Sequence, residues 1–350
     1  MPNWLGDCVM AMPALRHLAE CLPKARLFLA GRNQFRELFL AQPGVAGVVE
    51  APSSGFGKLV KSMPHARRLI KESGIPGGID LGVLFTNSFS TALWMWRTGA
   101  RRRLGYSHDW RRLLLTHPVP CGGVEKSWHF IRYYMWLAKA AESVAQESDA
   151  VSSRQLEPLE QYLTPTIQVG ERARLQADAL VRQAGIEGRY AVIAPASAYG
   201  PVKDWPKGHY RELVAGLNRE FSLPVLVTGG AAQSDACAEI ADNQEAAFNI
   251  AGKTSVEGFV GILEKAALFV GGDSGGAHIA SALGIPTLVI FGITNPSRTR
   301  PTGLHVRTVG EGEASDVRLD TPEARKAAQE ALERIDPEEV MEEARGFLDA

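Results

Sequence analysis

Short apolar runs and amphipathic stretches alternate along this chain. Residues 25–30, 46–51 and 79–85 have the length and apolar content of buried strands. Residues 33–40, 59–72 and 90–98, between and after them, read as helices. The alternation restarts beyond a polar stretch at residues 146–168, which holds Pro158 and Pro165 and reads as a linker. Strands are then expected at 190–194, 223–228, 247–250, 267–271 and 287–291, with helices at 171–184, 208–220, 231–242, 255–265 and 276–283. Charged amphipathic helices at 321–334 and 337–348 follow. Such alternation predicts an α/β protein built on parallel sheets with helices on both faces. The 350 residues suffice for two cores. We divide the chain into residues 1–168 and 169–350.

The stretch from Leu268 to Gly292 carries the densest signal. Leu268-Phe-Val270 is a buried strand, and Gly271, Gly272, Gly275 and Gly276 allow a tight turn and close approach to the main chain. Ala277, Ala280 and Leu283 share one helix face, Gly284 suits the helix end, and Pro286 prevents a restart. A helix beginning near Asp273–Gly276 offers free N–H groups and a positive dipole end, which favour a diphosphate. The loops at 196–205 and 252–255 also follow strands. The carboxyl ends of strands are where open α/β sheets bind ligands. Lys203 is placed to neutralise a phosphate, and Thr254 or Ser255 to donate a hydroxyl or cap the next helix.

Composition narrows the function. A formal net charge of −1 gives no bulk attraction to nucleic acid, so no nucleic-acid partner is expected. Cys8, Cys21, Cys121 and Cys237 form no C-x-x-C pair, and there is no H-E-x-x-H; neither a metal nor a disulfide framework is expected. No apolar run reaches the roughly 20 residues needed to span a bilayer. A basic n-region with an apolar h-region is missing, so a cytoplasmic protein is expected.

Other segments admit two readings. Asp7 follows Gly6 at a helix start, either as an N-cap or as a working carboxylate. Arg97, Arg101, Arg102, Arg103, Arg111 and Arg112, against Asp109 alone, form either a solvated loop or a phosphate-binding patch. The aromatic residues Trp128, Phe130, Tyr133, Tyr134 and Trp136 within 126–141 read as a helix face on the core. Gly272-Asp-Ser-Gly-Gly276 matches the G-x-S-x-G elbow of hydrolases. No acidic residue lies between Ser274 and His305, and no histidine follows His305, so the Ser–acid–His order fails. G-x-G-x-x-G and G-x-x-x-x-G-K-[ST] are both lacking, which weakens hydride and P-loop phosphoryl transfer.

Taken together, Pro2-Asn-Trp-Leu-Gly-Asp7 with Met12-Pro-Ala-Leu15, Thr86-Asn-Ser-Phe89, Leu104-Gly-Tyr106 with residues 113–118, residues 195–206, Asn249-Ile-Ala-Gly-Lys-Thr254 and Asp273-Ser-Gly275 with His278 resemble the bacterial lipopolysaccharide heptosyltransferases, glycosyltransferase family 9, most closely the heptosyltransferase II type. Their order along nearly the whole chain makes the resemblance specific. It implies a GT-B architecture: two Rossmann-like domains facing a cleft. Residues 169–350 would bind the donor ADP-heptose and residues 1–168 a lipid A-linked core oligosaccharide, with no cofactor and with peripheral contact at the cytosolic face of the inner membrane. Ser197, Lys203, Thr254, Ser255, Asp273, Ser274, Gly275 and His278 would then be donor-binding, and Arg101, Arg102 and Arg103 acceptor-binding. Asp7 would be the general base and Lys203 a catalytic cation. Two departures from the pattern are noted: the family's first strand, before Pro2-Asn-Trp, is missing, and Gly276 and Ala277 stand where bulkier residues are common. Alternatives are a family member with another nucleotide-sugar or acceptor, or a binding protein with a dead site.

Overall fold

The computed structural model describes residues 1–51, 66–75, 77–108, 110–121, 127–147, 164–197, 200–292, 294–310, 312 and 321–349. Residues 59–65 of the expected helix 59–72, residue 126 of the aromatic helix and most of the expected linker lie outside them. The chain divides into two compact units, Met1–Gln168 and Val169–Ala350.

The first unit opens with two short helices, α1 (Leu5–Met10) and α2 (Met12–Cys21). Strands β1 (Leu27–Gly31) and β2 (Val45–Glu50) follow, with α3 (Arg36–Leu40) between them. Next come α4 (Ala66–Glu72), β3 (Leu81–Leu84), α5 (Phe89–Thr98), β4 (Arg102–Tyr106), β5 (His117–Val119) and α6 (Phe130–Gln146). Among the described residues every strand pair of this unit is parallel, in two sheets, β1–β2 and β3–β4–β5. Gly31 turns its carbonyl to β2, where it accepts from Ala51 N at 2.8 Å. The neighbouring Ala30 carbonyl therefore faces the other way, because carbonyls alternate along a strand. It accepts from the Met1 ammonium at 2.7 Å, and burial lowers the pKa of that ammonium.

Two strands here were not expected. Residues 102–106 read as part of a basic loop, yet β4 lies between β3 and β5 with Leu104 and Tyr106 buried. The arginines on this strand are amphipathic: their stems lie along the sheet while their heads find carbonyls.

Among the described residues, the second unit has six parallel strands in the order β11-β10-β9-β6-β7-β8. They are β6 (Ala191–Ala194), β7 (Val225–Val227), β8 (Ala247–Asn249), β9 (Leu268–Gly272), β10 (Thr287–Ile290) and β11 (Val306–Val309). The middle strands are buried on both faces, which explains their unbroken apolar runs. Helices α7 (Glu171–Gln183), α8 (Lys207–Phe221), α9 (Ser234–Ala241), α10 (Val256–Glu264), α11 (Gly275–Ala282), the short α12 (Pro296–Thr299), α13 (Pro322–Glu333) and α14 (Pro337–Leu348) complete it. On α8, Tyr210, Leu213, Val214 and Leu217 repeat at three to four residues and enter a core with Val225, Ile290 and Met341. Each such side chain contributes about 1.5–3 kcal/mol on full burial. Trp205 anchors the edge of this core and donates Nε1–H to the Ile335 carbonyl at 3.0 Å.

Candidate active site

In the second unit, β6 leads to β7 and β8 on one side, and its other neighbour β9 leads to β10 and β11 on the opposite side. The strand order reverses between β6 and β9, and the crevice at their carboxyl ends is where open α/β sheets receive ligands. The loop after β6 carries Ser197 and Lys203, and the turn after β9 carries Asp273 and Ser274. Lys203 Nζ lies 3.2 Å from Asp273 Oδ2, in a pair whose side chains are 20% and 9% exposed. Thr299 Oγ1, on α12, donates to the same Asp273 oxygen at 3.5 Å. Gly272 lets the two loops meet, since a Cβ there would lie 3.1 Å from the Lys203 carbonyl. A hollow at this end of the sheet is lined by Val202, Lys203, Asp273, Gly292, Thr294 and others.

The helix after this turn is α11. Ser274 is its N-cap in extended conformation, and its side chain makes no capping bond. The Ser274 side chain therefore does not cover the first amides of α11, at the positive end of the helix dipole. Gly275 is the first helical residue, and His278 is buried on the first turn. Ser197 serves its own loop: its amide donates to Asp204 Oδ1 at 2.7 Å and its hydroxyl to the Gly200 carbonyl at 3.2 Å. Burial pushes the Asp204 carboxyl up, and the Ser197 hydrogen bond opposes the shift.

Thr254 and Ser255 are placed differently. They line a second hollow with Gln176, Leu180, Gln183 and Lys253, which shares no residue with the one at Lys203. Ser255 caps α10, accepting from Gly258 N at 3.1 Å, and donates to Gln176 Oε1 at 3.2 Å. Of the two openings left by its sequence, capping is the one the structure displays.

In the first unit, Asp7 is not an N-cap. Trp4 holds that position without a side-chain bond, and Asp7 lies within the first turn of α1, where a carboxylate complements the dipole. Tyr134 of α6 donates its hydroxyl to Asp7 Oδ1 at 3.2 Å. Burial first, and then the charge of Asp7, hold the Tyr134 phenol well above its ordinary range. It therefore remains a donor through the working pH range. Nearby on the same helix, Tyr133 accepts from Asn87 Nδ2 at 2.8 Å. Reading these tyrosines as an apolar face captured their burial and missed their hydroxyls.

The basic patch resolves into separate tasks. Arg102 Nη1 donates to the Val144 carbonyl at 2.7 Å. Arg103 donates to the Leu114 and Ala100 carbonyls, each at 2.7 Å. Both guanidinium groups thus bind main chain, which departs from the expectation of an acceptor-facing cluster. Arg101 forms an exposed pair with Asp80 at 3.2 Å, a geometry worth about 0–1 kcal/mol. Arg111 is buried and donates to the Thr86 carbonyl at 2.5 Å.

Folding also gathers one cluster that spacing alone did not reveal. His17 Nε2 lies 2.8 Å from Glu142 Oε2, and Cys21 Sγ lies 3.6 Å from the same nitrogen. Among the described residues this is the group whose donors could surround an ion. Lys139 Nζ, 3.3 Å from that Glu142 oxygen, already supplies positive charge there, so the cluster stands as a polar tie between α2 and α6.

Residues 74–327 match the model of glycosyltransferase family 9 (heptosyltransferase). The chain belongs to this family and is a glycosyltransferase of GT-B fold. It is 26% identical to lipopolysaccharide heptosyltransferase 2 of Escherichia coli K12 and 27% identical to that of Salmonella typhimurium, each over 99% of this chain and 97% of the relative. Among solved structures, the E. coli ADP-heptose lps heptosyltransferase II superposes with a TM-score of 0.78 at 25% identity, covering 99% of this chain and 96% of the other. A second E. coli heptosyltransferase, solved with ADP-2-deoxy-2-fluoro heptose, shares the fold with a TM-score of 0.69 at 16% identity, over 99% and 97% of the two chains.

Proposed function

We propose that this chain is an inverting heptosyltransferase that moves a heptose from ADP-L-glycero-D-manno-heptose to the inner core of lipopolysaccharide. The observation that carries the reading is the Lys203–Asp273 pair beside the start of α11, at the strand-order reversal of the second unit. An ADP leaving group gains negative charge as the glycosidic bond breaks. An ammonium and preorganised amides stabilise that charge more in the transition state than in the ground state. Asp273, itself bonded by Thr299, holds Lys203 in this region, and the diphosphate would draw the ammonium away from its carboxylate partner.

Asp7 is the proposed general base, taking the proton of the acceptor hydroxyl as it attacks the anomeric carbon. Its support is the Tyr134 hydroxyl, which donates to Asp7 Oδ1 at 3.2 Å and so orients the carboxylate. The acceptor is proposed to bind the first unit, with Arg101 as an exposed cation for its phosphates. Arg102 and Arg103 would shape the strand beneath. The enzyme is proposed to work in the cytoplasm at the inner-membrane face; among the described residues no helix is long and apolar enough to cross a membrane.

The test is release of nucleotide from a panel of donors in the presence of a core oligosaccharide acceptor. ADP-heptose should be consumed, and UDP- and GDP-sugars left intact. Consumption of another nucleotide-sugar in preference would move the chain to a different donor. No consumption of any donor, with ADP still bound, would mark a dead site.

A further inference from the structure

The first unit displays large apolar side chains beside exposed arginines. On α5, Phe89 and Trp96 are seven residues apart, on one face of the helix, and are 39% and 45% exposed. The Arg97 guanidinium lies over the Trp96 ring, 5.1 Å from its centroid. The 3₁₀ turn Arg111–Leu114 packs against the same helix, with Leu114 and Leu115 set against a cluster containing Ala92 and Met95. Trp110 and Leu113, at this turn, are 84% and 83% exposed, and Arg112 between them is exposed as well.

Such exposure is held in place from below. Trp110 adopts left-handed backbone, φ 60°, a strained conformation for a bulky side chain. Arg111 runs inward to the Thr86 carbonyl and Leu115 is buried. Arg111 and Leu115 thus fix the turn on both sides of Leu113, and Arg111 anchors the residue next to Trp110. The Trp110 ring is thereby presented to solvent, 84% exposed.

We propose that Trp110 and Leu113, flanked by Phe89, Trp96 and the exposed Arg97 and Arg112, form the surface by which this protein docks on an anionic phospholipid bilayer. Tryptophan prefers the headgroup level, where its ring is partly apolar and its N–H is hydrated. Arginine adds attraction to anionic lipid within a Debye length. The charge is local: the whole chain carries −1, while residues 97–112 carry six arginines against Asp109. This inference rests on the reading that the acceptor is lipid-linked, and it assigns the bilayer contact to the same unit as Asp7.

The experiment is vesicle flotation of the full chain, with phosphatidylcholine alone and with phosphatidylglycerol added. Wild type should float with the anionic vesicles, and added salt should weaken the binding. Trp110→Ser with Leu113→Ser should reduce the bound fraction constant by about tenfold or more. These exposed substitutions should leave transfer to a water-soluble, delipidated core acceptor unchanged. Lipid-independent activity therefore reads the proposed reaction, and flotation reads the docking surface. Equal flotation of wild type and variant would overturn the proposal, as would no flotation of wild type. A dimer of wild type that the double substitution dissociates, without vesicle binding, would assign the patch to a second copy and also overturn it.

Discussion

Lys203 Nζ sits 3.2 Å from Asp273 Oδ2, and the two residues come from the loops after β6 and β9, the strands between which the sheet order reverses. The pair therefore joins the two loops best placed to receive a diphosphate. With side chains only 20% and 9% exposed, each charge depends on the other.

Lys203→Met should weaken ADP binding about 10- to 100-fold, as loss of a charged hydrogen bond of about 1.5–3 kcal/mol requires. It should also destabilise the fold, because Asp273 is left buried without its cation. Adding Asp273→Asn should restore the melting temperature and not the ADP affinity. Calorimetric titration and thermal unfolding of the single and double variants separate the two effects. Full recovery of ADP affinity in the double variant would remove Lys203 from the donor site.

Gly261→Ala should destabilise the second unit. A Cβ at Gly261 would lie 2.2 Å from the Ala173 carbonyl oxygen, so α10 and α7 must move apart. Overpacking of this kind costs about 1–3 kcal/mol. The expected fall in Tm is roughly 2–10 °C by differential scanning calorimetry. An unchanged Tm would mean that this helix contact is looser than described.

The pair between Glu220 at the end of α8 and Arg345 of α14 gives a pH dependence. Arg345 donates from Nε and Nη2 to the two Glu220 oxygens, at 2.8 and 3.1 Å. These bonds lower the Glu220 pKa from 4.5 to about 2. A depressed carboxyl contributes stability that is present above its unfolded value and lost as pH falls through its folded value. Glu220→Gln should therefore lower the urea midpoint at neutral pH, and the difference from wild type should shrink from pH 4.5 downward and vanish only below about 2. A gap that persists unchanged in acid would contradict the assignment.

Much of this architecture is legible in the apolar pattern, because doubly buried parallel strands leave unbroken runs. The strand at residues 268–272 and the helices from 275 and 337 stand close to where periodicity puts them. β4 was hidden because its leading Arg102 and Arg103 look like solvent-facing charge. Nothing local in sequence states that their partners are the Val144 and Leu114 carbonyls. Lys203 and Asp273 were legible separately as residues after strands. Their pairing, with Thr299 as third member, depends on strand order, which periodicity does not encode. Tyr134 was legible only as an aromatic on a helix; its bond to Asp7 spans 127 positions of sequence.

The central claim is that Asp7 removes the acceptor proton while the second unit holds the donor. Heptose transfer from ADP-heptose to a core acceptor by Asp7→Asn, measured beside ADP binding by the same variant, tests it most directly. The account expects transfer to fall by about 10²–10⁴ with ADP affinity unchanged. Turnover near the wild-type rate would contradict it.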